Sequence, residues 1–345
     1  MPGLESLSRR MKNWNDFAVV RIAPVVVGIG LIIGCGGAGA GVIETPATTT
    51  TGSGDIPSLG INADMNGYIP FPGGNPWNTP INNEAVDPNS DNLIKSIGLD
   101  TGLHPDFGAN WNGGPFGIPY MVVPGTQSKV PMSFQYADQS DPGPYPFPKN
   151  APIEGGATST GDRHVLVIDR DHHELYETWS SYPRGNGWSC GSGAKFDLTS
   201  SKLRPAGWTS ADAAGLPIFP GLVRYDEVVL RGAITHALRF TVQHTRHGYV
   251  SPARHYASTS YNTNLPPMGM RVRLKASFDL SPFPKAAQVI LTCLKKYGMF
   301  VADNGSNWYI SGAPDSRWND DVMNTLKSVR GSNFEVVKMG AVTTN

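Results

Sequence analysis

Apolar and polar positions fall into a few well-marked windows, and these predict the elements. Met270–Asp279 (MRVRLKASFD) alternates strictly, with Met270, Val272, Leu274, Ala276 and Phe278 on one face and Arg271, Arg273, Lys275, Ser277 and Asp279 on the other. That pattern predicts a half-buried strand with one wet face, of the kind antiparallel sheets supply. Arg163–Trp179 predicts a β-hairpin: His164–Ile168 is extended and apolar, Asp169–His173 is the turn, and Glu174–Trp179 returns. Shorter extended runs lie at Tyr120–Val123, Val130–Tyr136, Ile234–Phe240, Met299–Asp303, Trp308–Ser311 and Phe334–Val337. Helical spacing appears within Asp87–Gly98, where Leu93, Ile94 and Ile97 share a face. It appears again within Lys285–Tyr297, where Ile290, Cys293, Leu294 and Tyr297 form a stripe between Pro284 and Gly298. A last helix is predicted from Asp315 as its cap to about Val329, with Trp318, Val322 and Leu326 inward. There is no internal repeat.

Turn formers fill the intervals, densely so over residues 61–155. The chain has 40 glycines and 29 prolines in 345 residues, about a fifth of its length against a usual share of about 12%. Gly215–Arg239 (GLPIFPGLVRYDEVVLRGAITHALR) combines a stiff bend at Pro217, Pro220 and Gly221 with a charged cluster and a strand-like run. The expected fold class is mainly β: an antiparallel β-sandwich or jelly-roll-like domain over residues 61–345, with long loops and a small C-terminal α/β portion.

The N-terminus changes the picture of where the chain works. Arg9, Arg10, Lys12 and Arg21 precede the apolar run Ile22–Gly34, which has the length of a secretory h-region and is short for a membrane span. The run ends in Ile32-Ile33-Gly34-Cys35, which resembles the lipobox of bacterial lipoproteins. The resemblance covers residues 1–35 and implies lipidation of Cys35, with Ile33 bulkier than the small residue usual in that pattern. Residues 36–60 read as a flexible linker, because their Gly/Ala/Thr composition buries too little surface to fold. The expected location is the bacterial cell envelope, exported and lipid-anchored, or else secreted. Outside the cytoplasm a Cys190–Cys293 disulfide is permitted, and the sequence leaves it open.

Charge is balanced, with 28 Lys+Arg against 28 Asp+Glu, which excludes a nucleic-acid binder relying on a strong positive field. No GxSxG, P-loop, HExxH or CxxC occurs. What remains for chemistry is a pool of carboxylates, His, Arg and Tyr. Glu177 stands between Leu175 and Trp179 on one strand face, where burial would raise its pKa and suit it to general-acid work. Paired with Asp226 or Glu227 it would meet the two-carboxylate requirement of a glycosidase. His236, His255 and Tyr256 are the further catalytic candidates, and Arg239 and Arg254 the candidates for binding an acidic sugar, since a lyase needs a cation on the uronate and a group to move the proton. Trp77 and Trp111 could stack on sugar rings. No cofactor is expected; Asp169 and Asp171 have calcium-loop spacing without the full pattern, which leaves calcium open. The expected function is a carbohydrate-active enzyme, a polysaccharide hydrolase or lyase, acting on an extracellular polymer. The alternative is a non-catalytic carbohydrate-binding or envelope-structural lipoprotein.

Overall fold

Two large sheets, each wrapped by loops, carry the chain, and the bend predicted at Pro217–Gly221 runs between them. The computed structural model describes residues 56–344; the signal-like run, Cys35 and most of the linker lie outside the described residues. The first sheet has five strands in the order Gly60–Ile61, Tyr120–Val123, Val165–Asp169, Glu174–Trp179 and Ser192–Asp197. The second has six, in the order Phe334–Val336, Arg271–Leu274, Met299–Asn304, Leu238–Val242, Tyr309–Ser311 and His104–Asp106. A three-stranded sheet built on Gly187–Cys190 and a two-stranded hairpin, Gly108–Trp111 with Gly114–Phe116, complete the β structure. With 26% strand against 16% helix the protein is mostly β.

The sheets are mixed, which departs from the antiparallel expectation. Tyr120–Val123 pairs parallel with Val165–Asp169, and Leu238–Val242 pairs parallel with Met299–Asn304. Parallel neighbours need long crossovers. The turn-rich segment after Val123 supplies one, and the segment holding the helix Lys285–Lys296 supplies the other. Alternation along a strand reports which face is buried and says nothing of the direction of its neighbours.

Burial follows from this arrangement. Val165–Asp169 is buried along its whole length because the first sheet is covered on both faces. One face packs Leu166, Ile168 and Leu175 against Ile218, Phe219 and Leu222. The other packs Val165, Val167 and Tyr176 against Tyr145, Phe147, Trp188 and Cys190. The second sheet holds its own core with the helix Lys285–Lys296, through Val272, Met299, Phe240, Ile290 and Leu294. Ala214, Leu216 and Val223 join this core while Ile218, Phe219 and Leu222 join the first sheet's, so the bend links the two. Gly221 is required there: a Cβ would lie 2.9 Å from that of Arg239 and 2.8 Å from the Trp77 ring.

Several local expectations shift. The strand predicted over Met270–Asp279 ends at Leu274, because Lys275 opens a turn that Phe278 closes onto its carbonyl. Its cationic face is covered: Arg271 donates to Tyr297 O and Thr79 O, and Arg273 to Glu335 at 2.7 Å and to Ile81 O. The last helix starts at Asp320 with Asn319 as its cap, since the Asp315 carboxylate is taken by Arg317, and it continues as a 3₁₀ turn over Thr325–Ser328. Cys190 and Cys293 are both buried and free, in different cores. No described helix is long and apolar enough to cross a membrane.

Candidate functional site

The six catalytic candidates do not share one place. Glu177 is fully buried and accepts from the backbone N–H of Ile218 (2.8 Å) and Phe219 (2.8 Å), so it anchors the bend. Burial raises its carboxyl to about 7 against the opposing pull of those N–H groups. Asp226, Glu227 and His236 form a second buried network. His236 Nε2 lies 3.1 Å from Glu227, Arg224 lies 2.6 Å from the same carboxylate, and Asp226 accepts from Met65 N. These three belong to or follow a single π-helical turn, Asp226–Arg231, closed by Gly232 in the left-handed region. A cavity of about 210 Å³ opens beside it, lined by Tyr120, Arg224, Asp226 and Arg317 among others. Its buried acids are already held by Arg224, His236 or backbone. Arg224 Nε and Nη1 are themselves buried without hydrogen-bond partners.

His255 and Tyr256 lie elsewhere, half-buried in an aromatic group with His247. Arg254 donates to Arg204 O and so is partly spent on backbone. Trp77 is 2% exposed and packs edge-on to Phe300, which removes it as a sugar platform. Trp111 is 69% exposed on the two-stranded hairpin.

Arg239 leads to a different cluster. It lies on Leu238–Val242, in the cross-strand row that continues through Ser311 to Asp106. Arg239 is 3% exposed, and its guanidinium makes a bidentate pair with the fully buried Asp212, with a further bond to Ser311 Oγ. The next strand carries a β-bulge: Phe240 pairs with Val301 but Thr241 pairs with Asp303. The extra residue, Ala302, turns Asp303 onto the face that holds Thr241 and Arg239 instead of the core face of Val301. Asp303 accepts from Asn304 N at 2.7 Å and from Ala213 N at 3.4 Å.

The first sheet contributes from the other side. His164 precedes the buried strand and is 4% exposed. Its Nδ1 lies 2.7 Å from Glu154 and its Nε2 3.2 Å from Ala211 O. Both partners are acceptors, so both nitrogens carry protons and the ring is an imidazolium. Burial alone would lower its pKa, but Glu154, Asp162 and Asp212 outweigh burial and raise it to about 10. Glu154 is correspondingly held below the ordinary range, His164 overcoming the effect of burial. Asp162 is exposed, takes a bond from Trp179 Nε1 at 3.2 Å, and marks the rim, where Tyr136 lies 6.5 Å from the Trp179 ring.

The result is a polar group in which Asp106, Asp162 and Asp303 lie close enough to the buried His164–Glu154 and Asp212–Arg239 pairs to feel their charges. Burial raises Asp303 to about 8, with Asp212 and Asp162 adding to it and Arg239 opposing. Asp106 ends its strand at an exposed position. Desolvation, with Glu154 and Asp162, raises it to about 6 against the pull of Arg239. His255 reaches the same region through Ala213, whose carbonyl accepts its Nδ1–H at 2.7 Å while the Ala213 N–H faces Asp303. Burial lowers the His255 pKa, leaving a neutral ring with Nε2 as an acceptor.

No protein-family model, curated protein or solved structure matches the chain. The chemistry therefore rests on the residues themselves. Glu154, Asp162 and His164 each place one ligand atom within 4.8 Å of the others, the one such group among the described residues. A doubly bonded imidazolium has no lone pair for a metal, so this donor set fits an ion-pair network better than a cation site. The calcium reading of the Asp169–Glu174 turn meets a similar obstacle: Asp169 accepts from His172 N and Nδ1, and Asp171 accepts from Gly125 N.

Asp106, Glu154, Asp162, His164, Asp212 and Asp303 escaped the sequence reading. Each is a single polar residue at a strand end or in a loop. The usable signals were a histidine ahead of a fully apolar run and an aspartate ahead of an Asn-Gly-Ser turn. His164 also provides a stability test. A raised histidine stabilises the fold fully below its unfolded value near 6.5 and loses that contribution as pH rises toward about 10. The unfolding midpoint is expected to fall across that window in wild type. In His164→Gln it should fall less; an unchanged slope would remove the imidazolium assignment.

Proposed function

We propose that this protein is an exported, surface-anchored carbohydrate-active enzyme, with Asp303 as general acid and Asp106 as general base. The observation that carries the reading is that Asp162 acts on both Asp106 and Asp303, which stand three strands apart in the second sheet with the Asp212–Arg239 pair between them. The site separates two carboxyls, at about 6 and about 8. Environments that push two carboxyls apart define an acid and a base. Between those values Asp303 holds its proton while Asp106 has released one.

In hydrolysis Asp303 would give its proton to the glycosidic oxygen as the bond to the anomeric carbon breaks. Asp106 would take a proton from the attacking water, whose oxygen forms the new bond to that carbon. His255 Nε2 would accept a sugar hydroxyl, and Trp179 with Tyr136 would offer ring faces at the rim. The two larger sheets would serve as a sandwich-like scaffold. Lipidation at Cys35 would hold the domain at the cell envelope, near its polymer.

The test is turnover of a polysaccharide panel, followed by new reducing ends and by absorbance of unsaturated uronates. New reducing ends are expected, with a bell-shaped pH profile whose limbs fall near 6 and 8. Silence on every polymer would remove the enzymatic reading. The rival is a non-catalytic binding lipoprotein, which the dispersal of Glu177, Glu227, His236 and His255 favours. Retention of one polymer without product would establish it.

A further inference from the structure

We infer that the cavity beside the π-helical turn Asp226–Arg231 is a binding site for one neutral, polyhydroxylated ring, either a free sugar or the end residue of a glycan. It is a second site, since neither Asp106 nor Asp303 lines it. It holds whether or not those two carboxyls are catalytic.

Size sets the first limit. The cavity measures about 210 Å³, several times the ~30 Å³ that one water occupies in the liquid. It is smaller than the ~300 Å³ at which drug-sized pockets begin. A single small ring suits that range.

The polar lining sets the second. Arg224 lines the cavity and is 1% exposed. Its Nη2 lies 2.6 Å from Glu227, and its Cζ lies 5.0 Å from the centre of the Phe219 ring. Its Nε stands 3.5 Å from Asp226 and, like Nη1, has no hydrogen-bond partner among the described residues. Buried donors are rarely left unmade, and π-helical turns are frequent at functional sites. An occupant bearing acceptor oxygens would complete them.

The charges say which occupant. Each guanidinium already has its carboxylates: Arg224 those of Glu227 and Asp226, and Arg317 that of Asp315. His236 also sits on Glu227. Asp64 lines the cavity with no ion pair among the described residues. An anion would therefore find no unmatched cation and one unmatched carboxylate. A cation would leave the Arg224 donors unmade. A hydroxyl both accepts from Arg224 and donates to Asp64, whose Oδ1 takes Asn66 N. Sugars carry several hydroxyls and an apolar ring face, for which Leu230, 56% exposed at the mouth, offers contact.

The experiment is calorimetric titration of the whole protein with glucose, galactose, mannose and xylose, then with glucuronate, galacturonate and their methyl esters. One saturable site is expected for at least one neutral sugar. The matching uronate should bind about tenfold more weakly or worse, because like charges oppose binding, and its ester should recover the loss. Leu230→Trp narrows the mouth at an exposed position, so it should weaken binding by about tenfold or more while melting as wild type does. Arg224→Lys keeps a charge beside Glu227 but removes Nε and the forked donors, and it should weaken binding similarly. If that variant fails to fold, Leu230→Trp decides. A short oligosaccharide that binds as tightly as its monomer identifies a chain end as the occupant; binding of the monomer alone identifies a free sugar. Tighter binding of the uronates would overturn the inference in favour of an anion site. Sugar binding unchanged in Leu230→Trp would place it elsewhere, and silence across the panel would leave the cavity to water. Both results would overturn the inference, and neither bears on polysaccharide turnover.

Discussion

Asp303→Asn is expected to lower turnover by about 10²–10⁴-fold, the usual worth of a positioned general acid. The substitution keeps the shape of the side chain and an oxygen to accept from Asn304 N, so the bulge that aims it stays in place. The loss should therefore appear in turnover and leave the circular dichroism spectrum unchanged. The alkaline limb near 8 should also vanish from any residual activity. Stability offers an independent readout. A carboxyl raised from 3.8 to about 8 keeps its proton in the fold while the unfolded chain has lost it. Wild-type stability should therefore fall as pH rises between those values. The asparagine variant should show a flatter dependence. Turnover within about tenfold of wild type would exclude Asp303 as the acid.

The second large effect concerns the pair beneath the site. Arg239→Met strands Asp212, which is fully buried, and a broken buried pair costs about 3–5 kcal/mol. Urea unfolding at neutral pH should show that loss as a lower midpoint with the slope unchanged. Removing both charges in Arg239→Met with Asp212→Leu should recover much of it, because an apolar replacement of a buried pair is often close to neutral. The double variant is nonetheless expected to be inactive, since Arg239 and Asp212 shape the charge around Asp303. A single variant as stable as wild type would mean that the pair is not closed to water.

The regular elements were readable wherever a side-chain period reported burial directly. Leu93, Ile94 and Ile97 mark the helix Ser90–Ile97, and the stripe from Ile290 to Leu294 marks Lys285–Lys296. Both legs of the hairpin at Val165–Asp169 and Glu174–Trp179 follow from apolar runs around a polar turn. The candidate site was readable only in fragments. Arg239 stood out as polar within a patterned stretch and His255 as part of the Arg254–Tyr256 cluster; His255 reaches Asp303 through Ala213, and Arg239 acts on Asp303 directly. Glu177 stood out for the same reason, and its burial against two backbone N–H groups gives it an anchoring place. Asp226 and Glu227 drew notice as a local charge cluster and His236 as a histidine on an apolar strand face, and they do meet, but as a closed network with Arg224.

What the sequence determined by itself is the mostly β character, the main helices, the stiff bend at Pro217–Gly221 and the supply of polar groups. These are local properties, set by a side chain and its near neighbours along the chain. Tertiary structure decided the rest. Parallel pairing brought Leu238–Val242 beside Met299–Asn304, a single bulge residue turned Asp303 toward Arg239, and tertiary packing set His164 and Glu154 close enough to feel Asp212 and Arg239. The tuned carboxyls exist only through that meeting. A pKa is moved by burial and by charges close in space, and no period along the chain encodes either.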